Sequence, residues 1–532
     1  MTTSSDKGIR HGWYRRDKPP NENLNRHHSW PLAGTLLEPP PSVLRRHGAR
    51  ISPATDDGTA GSTVYRTETL LVPTSLLQEQ AGLLDSDTGA LDGILNGYLA
   101  PTGWYIDSAP PAVSPAHPQL VTKLRLRQLS DLPGHGGAGA AAAGSPPDAY
   151  QALRLLRQAT AGGSHEAVAA HLSLDHLFFA ISAIDGMPIT EGHGDRSRVP
   201  VAVLASPPRR RPTADVPGGR RPVVAVLDTG IGEHTWLGTS DPANPDFWVD
   251  AKELGWTPQW DDSVGPPKEG SGISRPLVGT LDSHAGHGTF IAGLIRQMAP
   301  DASVLSLHVM YGDGVIHESD AINALGWLYQ RASSGNTADF VDVICLSFGY
   351  HEETPADAAV TSAFAQALAA LGNLGIRVVA AAGNNASETE TYPAALAVAQ
   401  NQPAVSVVSV GALNPTRTRA LYSNEAYWIT DWEVGTALIS TMPQFDGGMM
   451  PDIRISDQQN GTIRESQDPD NFKGGFAIWS GTSFAAAAYA GRLAQALITP
   501  YEALPSDQSL TDVTPAQARS RAEAALDACR PK

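Results

Sequence analysis

The apolar residues in the second half of this chain come in short, largely apolar runs. Residues 222–227 read PVVAVL and end on Asp228, and residues 303–309, 341–346, 376–382 and 405–410 have the same character. Each run is short, carries β-branched residues, is bounded by turn formers and has only scattered polar positions. That pattern suits a strand covered on both faces. Between the runs, residues 287–297, 319–331 and 355–371 carry apolar positions at helical spacing. Strands alternating with helices predict an α/β fold, a parallel sheet with helices on both faces. In such sheets reactive groups gather beyond the carboxyl ends of the strands. Asp228 stands at one such end, and Asn384 follows another.

The first half reads differently. Residues 64–72 suit a strand, 91–99 a short helix, and 120–129 alternate apolar and polar positions as a half-buried strand does. Residues 134–147 are a low-complexity Gly/Ala loop. Residues 148–161 form an amphipathic pattern with Tyr150, Leu153, Leu155 and Leu156, and 171–184 are apolar enough for a buried strand. Together these predict a small α+β domain over residues 61–205. Residues 1–60 are basic and without a sustained period, which predicts a largely irregular segment able to contact a protein partner. Residues 206–221, SPPRRRPTADVPGGRR, read as a linker flexible and exposed enough to be cut. The main domain then spans 222–500, with a C-terminal extension over 501–532.

Composition narrows the function. A formal net charge of −17 argues against nucleic-acid binding. The two cysteines, Cys345 and Cys529, give neither a disulfide framework nor a structural zinc site. The N-terminus lacks the apolar core of a leader peptide, and no apolar run approaches the length of a membrane span. These features predict a cytoplasmic protein with no membrane contact.

Four short stretches carry candidate chemistry. Gly481-Thr482-Ser483 opens an apolar helical run, where a serine can present Oγ while its own N–H faces a developing oxyanion. Alone this would be an ordinary helix cap. Asp228-Thr229-Gly230 ends a strand, where a carboxylate can hold an imidazole in one tautomer. His287 opens a helix, where the dipole favours the neutral base. Read separately, His284 and His287 are also a metal pair at i, i+3, though without further ligands. Asn384 follows a strand as a side-chain amide able to bind an oxyanion, or simply as part of a turn. The triplet Asp87-Thr88-Gly89 repeats that of Asp228 and raises a paired-aspartate protease, which would need matched β-rich lobes.

Taken jointly, these words resemble the subtilisin-like serine proteases, the subtilases. The matching stretches are Val226 to Ile231, Gly286-His287-Gly288-Thr289, Ala292-Gly293, Ala381-Ala382-Gly383-Asn384 and Ser480 to Ala485. Leu421-Tyr422-Ser423-Asn424, Gly435-Thr436 and Ile439-Ser440-Thr441 resemble the family's segment before the nucleophile. The resemblance covers about residues 220–500. It implies a serine endopeptidase acting on polypeptides, with Ser483 as nucleophile, His287 as base, Asp228 as its orienter, and Asn384 with the Ser483 N–H as oxyanion hole. Leu346, Ser347, Phe348 and Gly349, with Ala382 and Gly383, would border the extended substrate.

Departures from the family pattern remove no catalytic group: Ala487-Ala488-Tyr489 follow the nucleophile, Phe290 stands where a second histidine is common, and Val434 replaces a proline. Two insertions, 233–281 with several Trp and Asp residues and 442–475, flank the motifs and are expected to shape the cleft or to embellish the surface. The family often binds structural calcium, but no ligand pattern here names residues; no other cofactor is expected. The same fold can also carry a transamidase or macrocyclase, or a peptide-binding pseudoprotease, against which the intact quartet argues. An N-terminal unit of this size and position resembles a pro-region, or else a permanent docking domain.

Overall fold

A period of two runs through the strands of the second half. Val224, Val226, Val343, Cys345, Val379 and Ala381 enter one core, while Ala225, Leu227, Ile344, Leu346, Val378 and Ala380 enter another. All are buried, so the sheet is covered on both faces. The structure is a computed structural model describing residues 39–52, 62–76, 90–107, 120–131, 145–163, 165–180, 198–216, 218–238, 246–258, 273–275, 280–351, 363–398, 406–445, 454–456, 461–465, 472–503 and 509–530. Asp87-Thr88-Gly89, most of the 1–60 segment, nearly all of the 134–147 loop and parts of both insertions lie outside these residues.

The N-terminal unit contains β1 (Val64–Pro73), α1 (Ala90–Leu99), β2 (Trp104–Asp107), β3 (Val121–Gln128), α2 (Ala149–Thr160) and β4 (Ser173–Ala180). Its strands pair antiparallel in the order β4-β1-β3-β2, with Ala49–Ile51 added to β1. Asp148 caps α2 by accepting from the Gln151 N–H, and Leu153 and Leu156 meet Leu70, Val72, Leu124 and Leu126. The opposite sheet face meets the second unit, because Leu71, Val121 and Phe178 join the core of Ile322, Leu325 and Leu346.

That second unit is built on β5 (Val223–Asp228), β6 (Trp248–Asp250), α3 (His287–Met298), β7 (Ser303–His308), α4 (Glu318–Ala332), β8 (Val343–Leu346), α5 (Ala363–Asn373), β9 (Arg377–Ala381), β10 (Val407–Leu413), β11 (Asp431–Val434), α6 (Thr482–Ala503) and α7 (Pro515–Cys529). The strands are parallel in the order β11-β10-β9-β8-β5-β7-β6. Helices α3 and α6 share one core with the sheet, and α4 and α5 the other. α7 packs back on α6, where Arg492 donates to the Cys529 carbonyl and Arg530 pairs with Asp431.

One expectation changes, and both insertions contribute strands. The 206–221 stretch is not a free tether. Arg220 forks onto Asp342 with both bonds at 2.7 Å, Arg211 pairs with Asp301 at 2.6 Å, and Arg221 is buried against the Asp301 carbonyl. Its arginines had carboxylates within reach at the ends of strands, which composition could not reveal. Within 233–281, Trp248–Asp250 adds β6 to the main sheet, and Ile273–Arg275 pairs with Thr280–Leu281. Within 442–475, Arg454–Ser456 and Ile463–Glu465 form an antiparallel pair.

Candidate active site

The carboxyl ends of β5, β8 and β9 meet the N-termini of α3 and α6, and the four predicted residues lie there. Asp228 is buried as the last residue of β5 and accepts from the Thr229 N–H at 2.8 Å. α3 starts at His287, behind Gly286 in the left-handed region at φ 85°. A Cβ on Gly288 would lie 2.2 Å from the Gly230 carbonyl oxygen, so glycine lets this helix start press against the Asp228 strand. The His287 Nδ1–H donates to Asp228, with Oδ1 at 2.8 Å and Oδ2 at 2.9 Å. That leaves Nε2 as the basic nitrogen, and it has no hydrogen-bond partner among the described residues. Trp479, Phe484 and His284 box the ring at centroid distances of 5.4, 5.2 and 5.6 Å. Burial and the neighbouring His287 push His284 down to about 3, so it stays neutral beside the reactive imidazole.

Ser483 lies in the first turn of α6, fully buried. Its hydroxyl donates to the Ser347 carbonyl at 3.0 Å, and the Ser347 hydroxyl donates back to the Ser483 carbonyl at 3.3 Å. Beneath them, burial pushes the Cys345 thiol up to about 12, so it stays protonated. Asn384 is tied to the same helix start: its Oδ1 accepts from the Thr482 N–H at 3.0 Å and the Thr482 hydroxyl at 2.9 Å. The Thr482 hydroxyl also accepts from the Gly383 N–H at 3.1 Å. With Oδ1 held, the amide plane is set, and so is the position of Nδ2, its donor end. Thr482 was not singled out from the sequence; its place beside the serine in the Gly-Thr-Ser word was the available signal.

The expected substrate border is present and already paired. Leu346 ends β8, Ser347 follows, and Phe348–Gly349 pair antiparallel with Ala180 and Phe179 at the end of β4. The other edge of β4 pairs with Val315–His317, setting Phe179 opposite Val315. The N-terminal unit therefore fills a slot between two strands of the second unit. Ala382 and Gly383 are buried beside Asn384. Farther along, Arg198–Pro200 pairs antiparallel with Phe476–Trp479, just before the nucleophile turn. The Arg198 guanidinium lies over Trp479 and donates to the carbonyls of Ala285 and Asp282.

Among the described residues no group of three or more His, Cys, Asp or Glu side chains is placed to hold a metal ion. Nor is any helix among them long and apolar enough to cross a membrane.

The chain is 29% identical over 143 residues to Subtilisin-like protease 2 of Pseudogymnoascus destructans, covering 26% of this chain and 31% of that protein. It is 29% identical over 221 residues to the Thermophilic serine proteinase of Bacillus sp. strain AK1, covering 41% and 45%. The matches thus span less than half of either relative. A solved lanthipeptide protease overlaps 55% of this chain and 77% of its own at 21% identity and a TM-score of 0.38, too loosely to bear on the reaction. The model of the Subtilase family, Peptidase_S8, matches residues 219–525. Because that match takes in more than half of the chain, and with it every strand of the parallel sheet and all four candidate residues, this chain belongs to the subtilase family.

Proposed function

We propose that this chain is a serine endopeptidase that hydrolyses polypeptides through an acyl-enzyme on Ser483. The observation that carries the reading is the buried Asp228–His287 pair, whose Nε2 has no hydrogen-bond partner among the described residues, in a ring packed against Phe484 of α6. In the reaction, the Ser483 hydroxyl leaves the Ser347 carbonyl and attacks the scissile carbonyl carbon while its proton passes to His287 Nε2. Asp228 keeps Nδ1 protonated and stabilises the imidazolium. The tetrahedral oxygen takes hydrogen bonds from Asn384 Nδ2 and the Ser483 N–H. Collapse breaks the C–N bond, and His287 hands its proton to the departing amine. Water then repeats the sequence to release the acid and restore Ser483.

In the described state the cleft is covered by the chain itself. Ser483 and His287 are both buried, Phe179–Ala180 occupies the Phe348–Gly349 edge, and Arg198–Pro200 lies along Phe476–Trp479. A substrate strand pairing with that edge has to displace the end of β4, so the N-terminal unit acts as a pro-region or a regulatory domain. The basic start of the chain is a candidate contact for a protein partner. A cytoplasmic setting fits the two buried, unpaired cysteines.

The test is cleavage profiling on a peptide library, with fluorophosphonate labelling, for the wild type and Ser483→Ala. Turnover and labelling that vanish together in the variant support the assignment, whereas unchanged turnover defeats it. Mass spectrometry of the products separates hydrolysis from transamidation, and sequencing of new N-termini shows whether the chain cuts itself.

A further inference from the structure

Asn384 sits on a loop of unusual backbone. Gly383 before it lies at φ 114° and Ala386 after it at φ 49°, conformations that β-carbon-bearing residues adopt reluctantly. One buried side chain holds this loop from the far side. Asn424 Oδ1 accepts from the backbone N–H groups of Asn385 at 3.0 Å and Ser387 at 3.1 Å. Its Nδ2 donates to the Ala382 carbonyl at 3.0 Å and to the Thr391 hydroxyl at 3.2 Å. Its own backbone N–H donates to the Gly383 carbonyl at 2.9 Å.

The amide therefore has both ends fully used, and its orientation is fixed by chemistry. Two N–H groups can only face an oxygen, and a carbonyl can only face a nitrogen. Asn424 touches the backbone on both sides of Asn384 and is itself fully buried. The fit is close enough that a Cβ on Gly383 would lie 2.1 Å from Asn424 Nδ2. Thr482 sets the Asn384 side chain from the front, and Asn424 sets its backbone from behind.

We propose that Asn424 is a positioning residue for the oxyanion donor: it shapes the 382–387 loop so that Asn384 Nδ2 meets the transition-state oxygen. The inference rests on the protease reading above and deepens it. A group that acts only through Asn384 affects the chemical step more than substrate binding, and its effect disappears once Asn384 has lost its amide.

The experiment is a double-mutant cycle on the full chain with a peptide substrate, following kcat and KM separately. Asn424→Ala is expected to lower kcat about 10- to 100-fold with KM within about threefold, part of the 10²–10³ that one oxyanion donor supplies. Asn424→Ser, which keeps a short oxygen for the two N–H groups, should recover part of the loss and serves if the alanine variant fails to fold. Beside Asn384→Ala, either substitution should lower kcat by less than about threefold. A penalty that persists undiminished beside Asn384→Ala, or falls mainly on KM, would overturn the inference while leaving the protease reading standing. Wild-type protein without Ser483-dependent turnover would overturn both.

Discussion

Thr482 grips Asn384 twice, through its backbone N–H and through its hydroxyl, both on the same Oδ1. The residue next to the nucleophile thus locks the nucleophile turn to the oxyanion donor. Thr482→Val keeps the shape and the N–H but removes the hydroxyl bonds to Asn384 and to the Gly383 N–H. One such bond is worth about 1 kcal/mol, and each ~1.4 kcal/mol is tenfold in rate. We expect kcat to fall about 5- to 30-fold with little change in KM, and Thr482→Ser to fall less. Equal rates for all three proteins in steady-state assays would show that Asn384 needs no such grip.

Phe178 connects the end of β4 to the substrate edge. Its ring stacks on Tyr350 at 4.3 Å and Phe348 at 5.5 Å and meets Phe364 edge-on at 5.1 Å. Phe178→Ala should destabilise by about 3–5 kcal/mol, a usual range for emptying such a site. Loosening β4 should also free the Phe348–Gly349 edge, so turnover of short peptides should rise as the melting temperature falls. Measured together, a lowered melting temperature with no gain in turnover would mean that β4 does not obstruct substrate.

Acid should weaken the fold. Burial pushes His284 and His308 down to about 3 and lowers His234, His317 and His351 as well. These histidines are neutral in the native protein, whereas the unfolded chain takes up their protons near 6.5. Their contribution is therefore complete above that pH and is lost as pH falls toward 3. Asp313 is held below the usual carboxylate range against the pull of burial, chiefly by His47 and Arg46, so it adds to the loss at low pH. Asp282, pushed up to about 6 by burial, and Asp320 work the other way. Five histidines outweigh two carboxyls, so the thermal midpoint of Ser483→Ala protein should drop steadily from pH 7 to pH 4. A midpoint that is flat or rises over that interval would contradict the balance.

The docked arginines make a proteolysis prediction. Arg220 is clamped on Asp342, which also accepts from the Val223 N–H at 2.9 Å. The Arg220–Arg221 bond should therefore resist brief trypsin treatment, while Asp342→Asn should open it. N-terminal sequencing reads the difference. Rapid cutting there in the unsubstituted protein would restore the free linker that the composition suggested.

The parallel sheet and its helices were legible from local pattern, and the four candidate residues from the joint resemblance of their motifs to the subtilases. Apolar runs such as residues 222–227 suit strands buried on both faces, and Asp228, His287 and Ser483 sit where such an element ends or begins, with Asn384 shortly past another. Short range was enough there, because strand ends and helix starts place a side chain whatever else surrounds them. Contacts between distant segments were not legible in this way and came from the folded chain. Nothing local in Phe179 says that it will pair with Val315 and Gly349, since any strand edge offers the same N–H and C=O groups. Nothing in the Arg-rich 206–221 stretch says that Asp301 and Asp342 wait for it. Asn424 stood in a recognisable word without a role, because an amide's function depends on which four partners surround it, and those come from 33 to 42 residues away along the chain.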